Sequence, residues 1–426
     1  MATPFWYNAA LSILKPLYQW RIKKRALNMG QWQQECLERF GPFQPPKNLN
    51  AIWFHVVSVG ETNAAQPLIE HYLKLGHAVL VTNTTKTGQA RAKSLFLKAP
   101  YAHLFQAVYL PADQKKLVQA FYQKYQPKLL VLVETEIWPN LIDQAQSFKV
   151  PCLLINARLS EKSARGYAKV SALTQGMLQS LDQLLAQDQA TLERYLDLGM
   201  SADKGQVLGS MKFDITAPQQ VIQQAEQLKR NGEIVNRKII TLASTHAPEE
   251  QKLLTALQPY LTQYPDLVVI VVPRHPERFD EVFQVIQDLG LKVQRRSLGE
   301  FIQSDTQVYL ADSMGEMWLW YALSHVCFVG GSLNEPGGGH NILEPMALNV
   351  PTVLGKNYFN FQTIVDEFVQ ANAVEVVADA EGAAQVLLAI LQDSSKAQHL
   401  NAAADKMMQL NQGALAKHIA VIDEYL

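Results

Sequence analysis

Acidic, basic and glycine residues gather at the ends of short apolar runs in this 426-residue chain. Val57-Ser58-Val59-Gly60-Glu61 sets Glu61 just past one run, at the start of a helical period. A carboxylate there serves as a general base or as a partner for the helix dipole. Glu134 and Glu136 follow the run 129–133, and at i and i+2 they need not face the same way, so no carboxylate dyad is implied. Arg158 follows the run 152–156 and adds a cation to the same edge.

The strongest local signal is GGSLNEPGGGHNILEP at 330–345, between the run ending at Val329 and a helical stretch expected over 342–348. Glycines such as Gly338 and Gly339 let a backbone approach an anion, and a new helix offers unpaired N–H groups to a phosphate. His340 and Asn341 lie in that loop, and Glu344 falls in the first turns of the helix, where a carboxylate can accept from both hydroxyls of a ribose. A flexible turn with an acidic cap is the competing reading. No Gly-Lys-Ser/Thr follows, and the dinucleotide fingerprint is absent, which demotes nucleotide hydrolysis and hydride transfer. Ser244, Thr245 and His246 end another run and suit a phosphate or a plain helix cap. PRHPERF at 273–279 places Arg274 and His275 in a stiff basic loop suited to phosphate or carboxylate. Ser210 and Lys212 sit where two halves of the chain join, with Lys212 able to reach a ligand between them.

These positions need strand ends to hold them. Apolar runs at 51–59, 77–82, 129–134, 152–156, 184–187 and 206–208 alternate with helical stretches such as 61–76 and 88–98. The alternation restarts at 238–243 and continues through 267–272, 308–310, 326–329, 352–354 and 373–377. Runs buried on both faces and alternating with helices predict two parallel sheets, whose ligands sit at the carboxyl ends of the strands. A polar stretch at 219–236 separates the series. The expected domains are 1–45, 46–216 and 217–426, with the last helices free to pack back on the first half.

Composition narrows the classes. A hydrophobic fraction of 48%, 22 Gly and 20 Pro describe a globular chain, and a net charge of −1 gives no whole-protein argument for nucleic acid. Cys36, Cys152 and Cys327 are scattered, without the spacing of a zinc site or a disulfide framework. From Phe5 to Trp20 the chain is apolar and aromatic, then reaches Arg21, Lys23, Lys24 and Arg25. That stretch is shorter than the roughly 20 apolar residues a membrane span needs. It suits a helix lying on an anionic leaflet, or an ordinary amphipathic helix packed on its domain.

Taken in order, SVGE (58–61), ETEIWPN (134–140), NARLSEKSARGY (156–167), PRHPERF (273–279) and the 330–345 loop closely resemble the 3-deoxy-D-manno-octulosonic acid (Kdo) transferases of lipopolysaccharide assembly. GSMKFD, ASTH, GEMWLWYA and LGKNYFNF support the match, which runs from about residue 5 to residue 365. The resemblance implies a GT-B α/β fold, two Rossmann-like domains with parallel sheets facing a central cleft, plus the N-terminal membrane-associated helix. It implies an inverting transfer of Kdo from its CMP-activated form to a lipid A precursor, with no cofactor and no bound metal. Glu61 would be the base, and Glu134, Glu136 and Arg158 would shape the acceptor side. Arg274 and the loop through Gly338, Gly339, His340 and Asn341 would hold the CMP phosphate, with Glu344 on the ribose. Gly315, Glu316 and Met317 would meet cytosine through backbone groups, with Ser210, Lys212, Ser244, Thr245 and His275 nearby. The N-terminal helix would then rest on the cytoplasmic face of the inner membrane. A sugar-nucleotide epimerase would share the donor half without needing a lipid. A non-catalytic nucleotide-sugar sensor would have no use for a base at Glu61.

Overall fold

A computed structural model describes residues 3–231 and 234–426, and the chain divides into two compact units. One comprises Met1–Asp214 with Asn411–Leu426, the other Ile215–Leu410.

The first unit is built on seven strands: β1 (Ile52–His55), β2 (Val79–Asn83), β3 (Phe105–Tyr109), β4 (Leu129–Val133), β5 (Cys152–Ala157), β6 (Gln183–Ala186) and β7 (Gly205–Val207). They pair in the order β3-β2-β1-β4-β5-β6-β7, all parallel. Successive side chains of a strand point to opposite faces, and here both faces are buried. Trp53, Leu130, Leu132 and Leu154 enter one core, whereas Ile52, Phe54, Leu129 and Val131 enter the other. This is why the runs are apolar at every position rather than at alternate ones.

The second unit repeats the plan with β8 (Lys238–Thr245), β9 (Leu267–Pro273), β10 (Val293–Arg295), β11 (Val308–Leu310), β12 (Val326–Val329), β13 (Thr352–Gly355) and β14 (Glu375–Val377). Their order is β10-β11-β9-β8-β12-β13-β14, again parallel throughout. Two strands had no counterpart among the expected runs, β3 and β10. Both are edge strands with polar or half-buried positions, so neither forms a continuous apolar run.

Helix α1 (Phe5–Arg25) buries only Ile22 and leaves Phe5 87% and Ile13 79% exposed. Among the described residues no helix is long and apolar enough to cross a membrane. Helix α2 (Met29–Phe40) follows, and both belong to the first unit rather than to a separate segment. The Tyr7 hydroxyl donates to Asp113 Oδ2 at 2.9 Å and fixes the start of α1 to the unit's body.

The polar stretch expected between the halves is the helix Gln219–Asn231 of the second unit, with residues 232 and 233 outside the described ones. Residues 411–426, expected in the second domain, belong to the first. Asp214 accepts from the N–H groups of Gly413, at 2.7 Å, and Leu415, and His418 Nε2 accepts from Asn156 N–H at 3.1 Å. The helix expected over 342–348 is a single turn, Leu343–Met346; Pro345 lies inside it and Asn349 turns left-handed just beyond.

Candidate active site

In the first unit, β1 runs into helix α3 (Val59–Lys74), whose N-cap is Ser58. Glu61 occupies the position of a capping-box acid. Its Oε2 accepts from Val57 N–H at 2.7 Å, and its Oε1 from Ser58 Oγ at 3.1 Å. The same carboxyl is therefore a helix cap and a candidate base. Burial is the largest influence on it, with the Glu134 and Glu136 charges adding to that, and its pKa is pushed up to about 7. An acid that titrates there can take and return a proton at physiological pH.

Glu134 follows β4 with a φ of 64°, a left-handed backbone rarely adopted by a residue with a side chain. Lys212 Nζ lies 2.7 Å from its Oε1. Lys212 and Ser210 thus belong to the first unit, with Lys212 beside an expected acceptor residue, although the sequence grouped both with the donor set. Glu136 Oε2 accepts from Trp138 Nε1 at 2.9 Å and stands 3.7 Å from Nε2 of the buried His55. Arg158 joins this edge through its backbone, its N–H reaching Glu134 O at 3.4 Å and its O accepting from Thr135 Oγ1 at 2.7 Å. Glu61, Glu134, Glu136, Arg158 and Lys212 therefore converge on one end of one sheet.

In the second unit the two arginines of the 273–279 loop differ. Arg278 forks onto the buried Glu250, with Nη1 2.8 Å from Oε1 and Nη2 3.2 Å from Oε2, and also pairs with Glu281. Arg274 and His275 are exposed. Ser244, with a φ of 53°, and Thr245 end β8 where its register with β9 shifts, and the Thr245 hydroxyl is buried with no partner among the described residues.

The glycine-rich loop is anchored by a residue that the sequence reading did not single out. Buried Glu249 accepts from the N–H groups of His246, Gly331, Ser332 and Leu333 at 2.7–3.0 Å. Its position among helix-start residues was the only signal. Gly338 N–H donates to Asn357 O at 2.9 Å and Gly339 N–H to Gly331 O at 2.8 Å. These two amides bond to neighbouring backbone, so the close approach expected of the glycines does not draw on their N–H groups. Their necessity as glycine stands on other grounds. Gly338 has a φ of 132°, and a Cβ there would lie 2.3 Å from Asn360 Nδ2. His340 Nε2 lies 2.8 Å from His246 Nε2. Glu344 is half-buried, its pKa raised by burial, and Asn341 Nδ2 approaches it at 3.5 Å.

Glu316 is held by Arg296, 2.7 Å from Nη2, and by Ser313 Oγ, so its side chain is an anchor. Its carbonyl accepts from Leu319 and Trp320 N–H. Gly315, with a φ of 85°, has open space where a Cβ would be, and Met317 packs beside the core containing Trp320.

Residues 34–215 match the family described as 3-deoxy-D-manno-octulosonic-acid transferase (kdotransferase), and residues 224–407 match glycosyl transferases group 1. The 3-deoxy-D-manno-octulosonic acid transferase of Haemophilus influenzae is 34% identical over 99% of this chain and 98% of that protein. The transferase of the same name from Bordetella pertussis is 34% identical over 99% of each. The chain belongs to the 3-deoxy-D-manno-octulosonic acid transferase family.

A crystal structure of a glycosyltransferase from Rickettsia africae ESF-5 shares the fold, at 16% identity and a TM-score of 0.52, covering 89% of this chain and 99% of that one. A Kdo transferase with this fold is a GT-B enzyme whose two sheets each carry a polar strand-end cluster. Asp113, Asn140 and His55 were missing from the expected set. Asn140 N–H donates to Asp113 Oδ2 at 3.1 Å, and Asn140 Nδ2 to Asn8 Oδ1 at 3.1 Å, which ties the ETEIWPN motif to α1.

Proposed function

We propose that Glu61 deprotonates a hydroxyl of a lipid A precursor, which then attacks the anomeric carbon of CMP-Kdo and inverts it. The observation that carries this reading is the Glu61 carboxyl itself, half-buried at the carboxyl end of β1 with its pKa pushed up to about 7. Glu134, Glu136, Arg158 and Lys212 form the acceptor-side surroundings. Arg274 is the cation for the CMP phosphate, assisted by Ser244, Thr245, His275, His340 and Asn341. Glu344 accepts from the ribose, and the backbone of Gly315, Glu316 and Met317 meets cytosine. Fixed cations and hydroxyls around the departing phosphate stabilise its growing charge without reorganising. Exposed Phe5, Ile13, Leu17 and Trp20 on α1, followed by its basic end, favour contact with an anionic leaflet. On this reading the enzyme meets its lipid acceptor at the cytoplasmic face of the inner membrane.

Mass analysis of products from purified protein, CMP-Kdo and a lipid A precursor tests this function. A mass increase of the lipid by whole Kdo units with release of CMP is expected. An unmodified lipid alongside an isomerised sugar nucleotide would support the epimerase reading instead.

A further inference from the structure

His246 follows β8 and His340 ends the glycine-rich loop, and their Nε2 atoms meet at 2.8 Å. The ring planes differ by only 10° while the centroids stand 5.1 Å apart. A separation made of one hydrogen bond plus the two ring radii means that the imidazoles lie tip to tip, not face to face. One Nε2 must donate the proton that the other's lone pair accepts, since two bare lone pairs would repel. This arrangement excludes a metal between them. Two nitrogens on one tetrahedral zinc, each at about 2.0–2.1 Å, would stand about 3.3 Å apart. Among the described residues no group of three potential ligands is suited to a metal.

The surroundings make the pair short of a proton. His275 meets the His246 ring edge-on with centroids 5.0 Å apart. Arg274 and Arg278 add positive charge, of which Arg278 is balanced by Glu250 and Glu281. The nearest other carboxylate, Glu249, is occupied by four backbone N–H groups. Glu344, on the turn after the loop, faces Arg274. Burial first, then these cations, holds His246 below the ordinary histidine value and His340 down at about 4. Gly331 makes the fit possible: with a φ of 67°, it would bring a Cβ within 3.1 Å of the His340 ring.

We infer that the His246–His340 pair is a proton-accepting clamp for the phosphate of the nucleotide, taking up one proton when that phosphate becomes dianionic. This rests on the donor-site reading of the second unit. When the bond between the anomeric carbon and the phosphate oxygen breaks, its electron pair stays on the phosphate. A singly charged diester thereby becomes a monoester that carries a second charge. The added charge favours imidazolium, and the proton comes from solvent, giving a charge-assisted pair that shares it. The pair is then neutral towards the intact donor and cationic towards CMP. It steadies the leaving group more than the substrate.

Calorimetry of CMP binding to the full-length protein near pH 7, in buffers of differing ionisation enthalpy, counts the protons taken up. The expected result is uptake of a substantial fraction of one proton per CMP, and none with cytidine. His340→Gln and His246→Gln each abolish the uptake and weaken CMP binding about tenfold or more, with unchanged melting temperature. His399→Gln, at an exposed histidine of the helix Ser394–Asn411 outside the site, leaves the uptake in place. CMP binding without proton uptake, or uptake that survives both pair substitutions, overturns the clamp and leaves the donor site standing. Failure of CMP to bind at all overturns the donor-site reading and the clamp with it.

Discussion

Ser58 and Glu61 hold each other at the start of α3: Ser58 Oγ donates to Glu61 Oε1 at 3.1 Å and accepts from the Glu61 N–H at 3.3 Å. That bond favours the ionised carboxylate against the burial that disfavours it. A base works when deprotonated, so kcat/KM rises with pH, levels off above about 7 and falls roughly tenfold per unit below it. Ser58→Ala removes one stabilising bond, moves the midpoint upward and costs about 1 kcal/mol of stability as a lost N-cap. A pH–rate profile of both proteins, with a denaturation curve, checks the two effects.

Arg274 and Arg278 separate function from folding within one loop. Arg278→Ala leaves Glu250 buried without its fork and destabilises the second unit by about 3 kcal/mol. Arg274→Ala removes an exposed side chain and changes the melting temperature little, yet weakens CMP binding by about tenfold or more. Thermal melts and nucleotide titrations on the two variants distinguish these outcomes.

Buried acids set the pH dependence of stability in the first unit. Burial raises Asp113 to about 7 in the folded chain, against donors that partly offset it, and Glu61 behaves alike. A raised folded value means stability fully present below the unfolded value of about 4. It is lost as pH climbs through about 7. The melting temperature should therefore decline across that window, and Asp113→Asn should flatten the decline.

Helix α1 supplies the membrane prediction. Ile13→Glu together with Trp20→Glu places charge on its exposed apolar residues and should reduce sedimentation with anionic vesicles by about tenfold or more. Neutral vesicles and high salt should weaken the wild-type association, because the basic end of the helix is screened.

The sheets were legible because their central strands are buried on both faces and read as unbroken apolar runs. Leu129–Val133 and Leu267–Pro273 are the clearest instances. The edges were not legible: Phe105–Tyr109 carries Gln106, and Val293–Arg295 is half-buried and largely polar. Site residues at strand ends stood out by type, as Glu61 and Arg274 did. Their long-range partners did not, because hydrogen bonds across 82 or more positions leave no local pattern, as with Glu249 and Gly331. Nor could spacing show that Lys212 faces Glu134, or that the amides of Gly338 and Gly339 are spent on the carbonyls of Asn357 and Gly331.

The proposed base is one carboxyl group, and Glu61→Gln keeps its size while removing its basicity. Transfer of Kdo from CMP-Kdo to a lipid A precursor, measured for wild type and Glu61→Gln side by side, is the most direct test. Loss of the base lowers kcat by about 10²–10⁴-fold, with CMP affinity and melting temperature unchanged. Turnover by Glu61→Gln at the wild-type rate would contradict it.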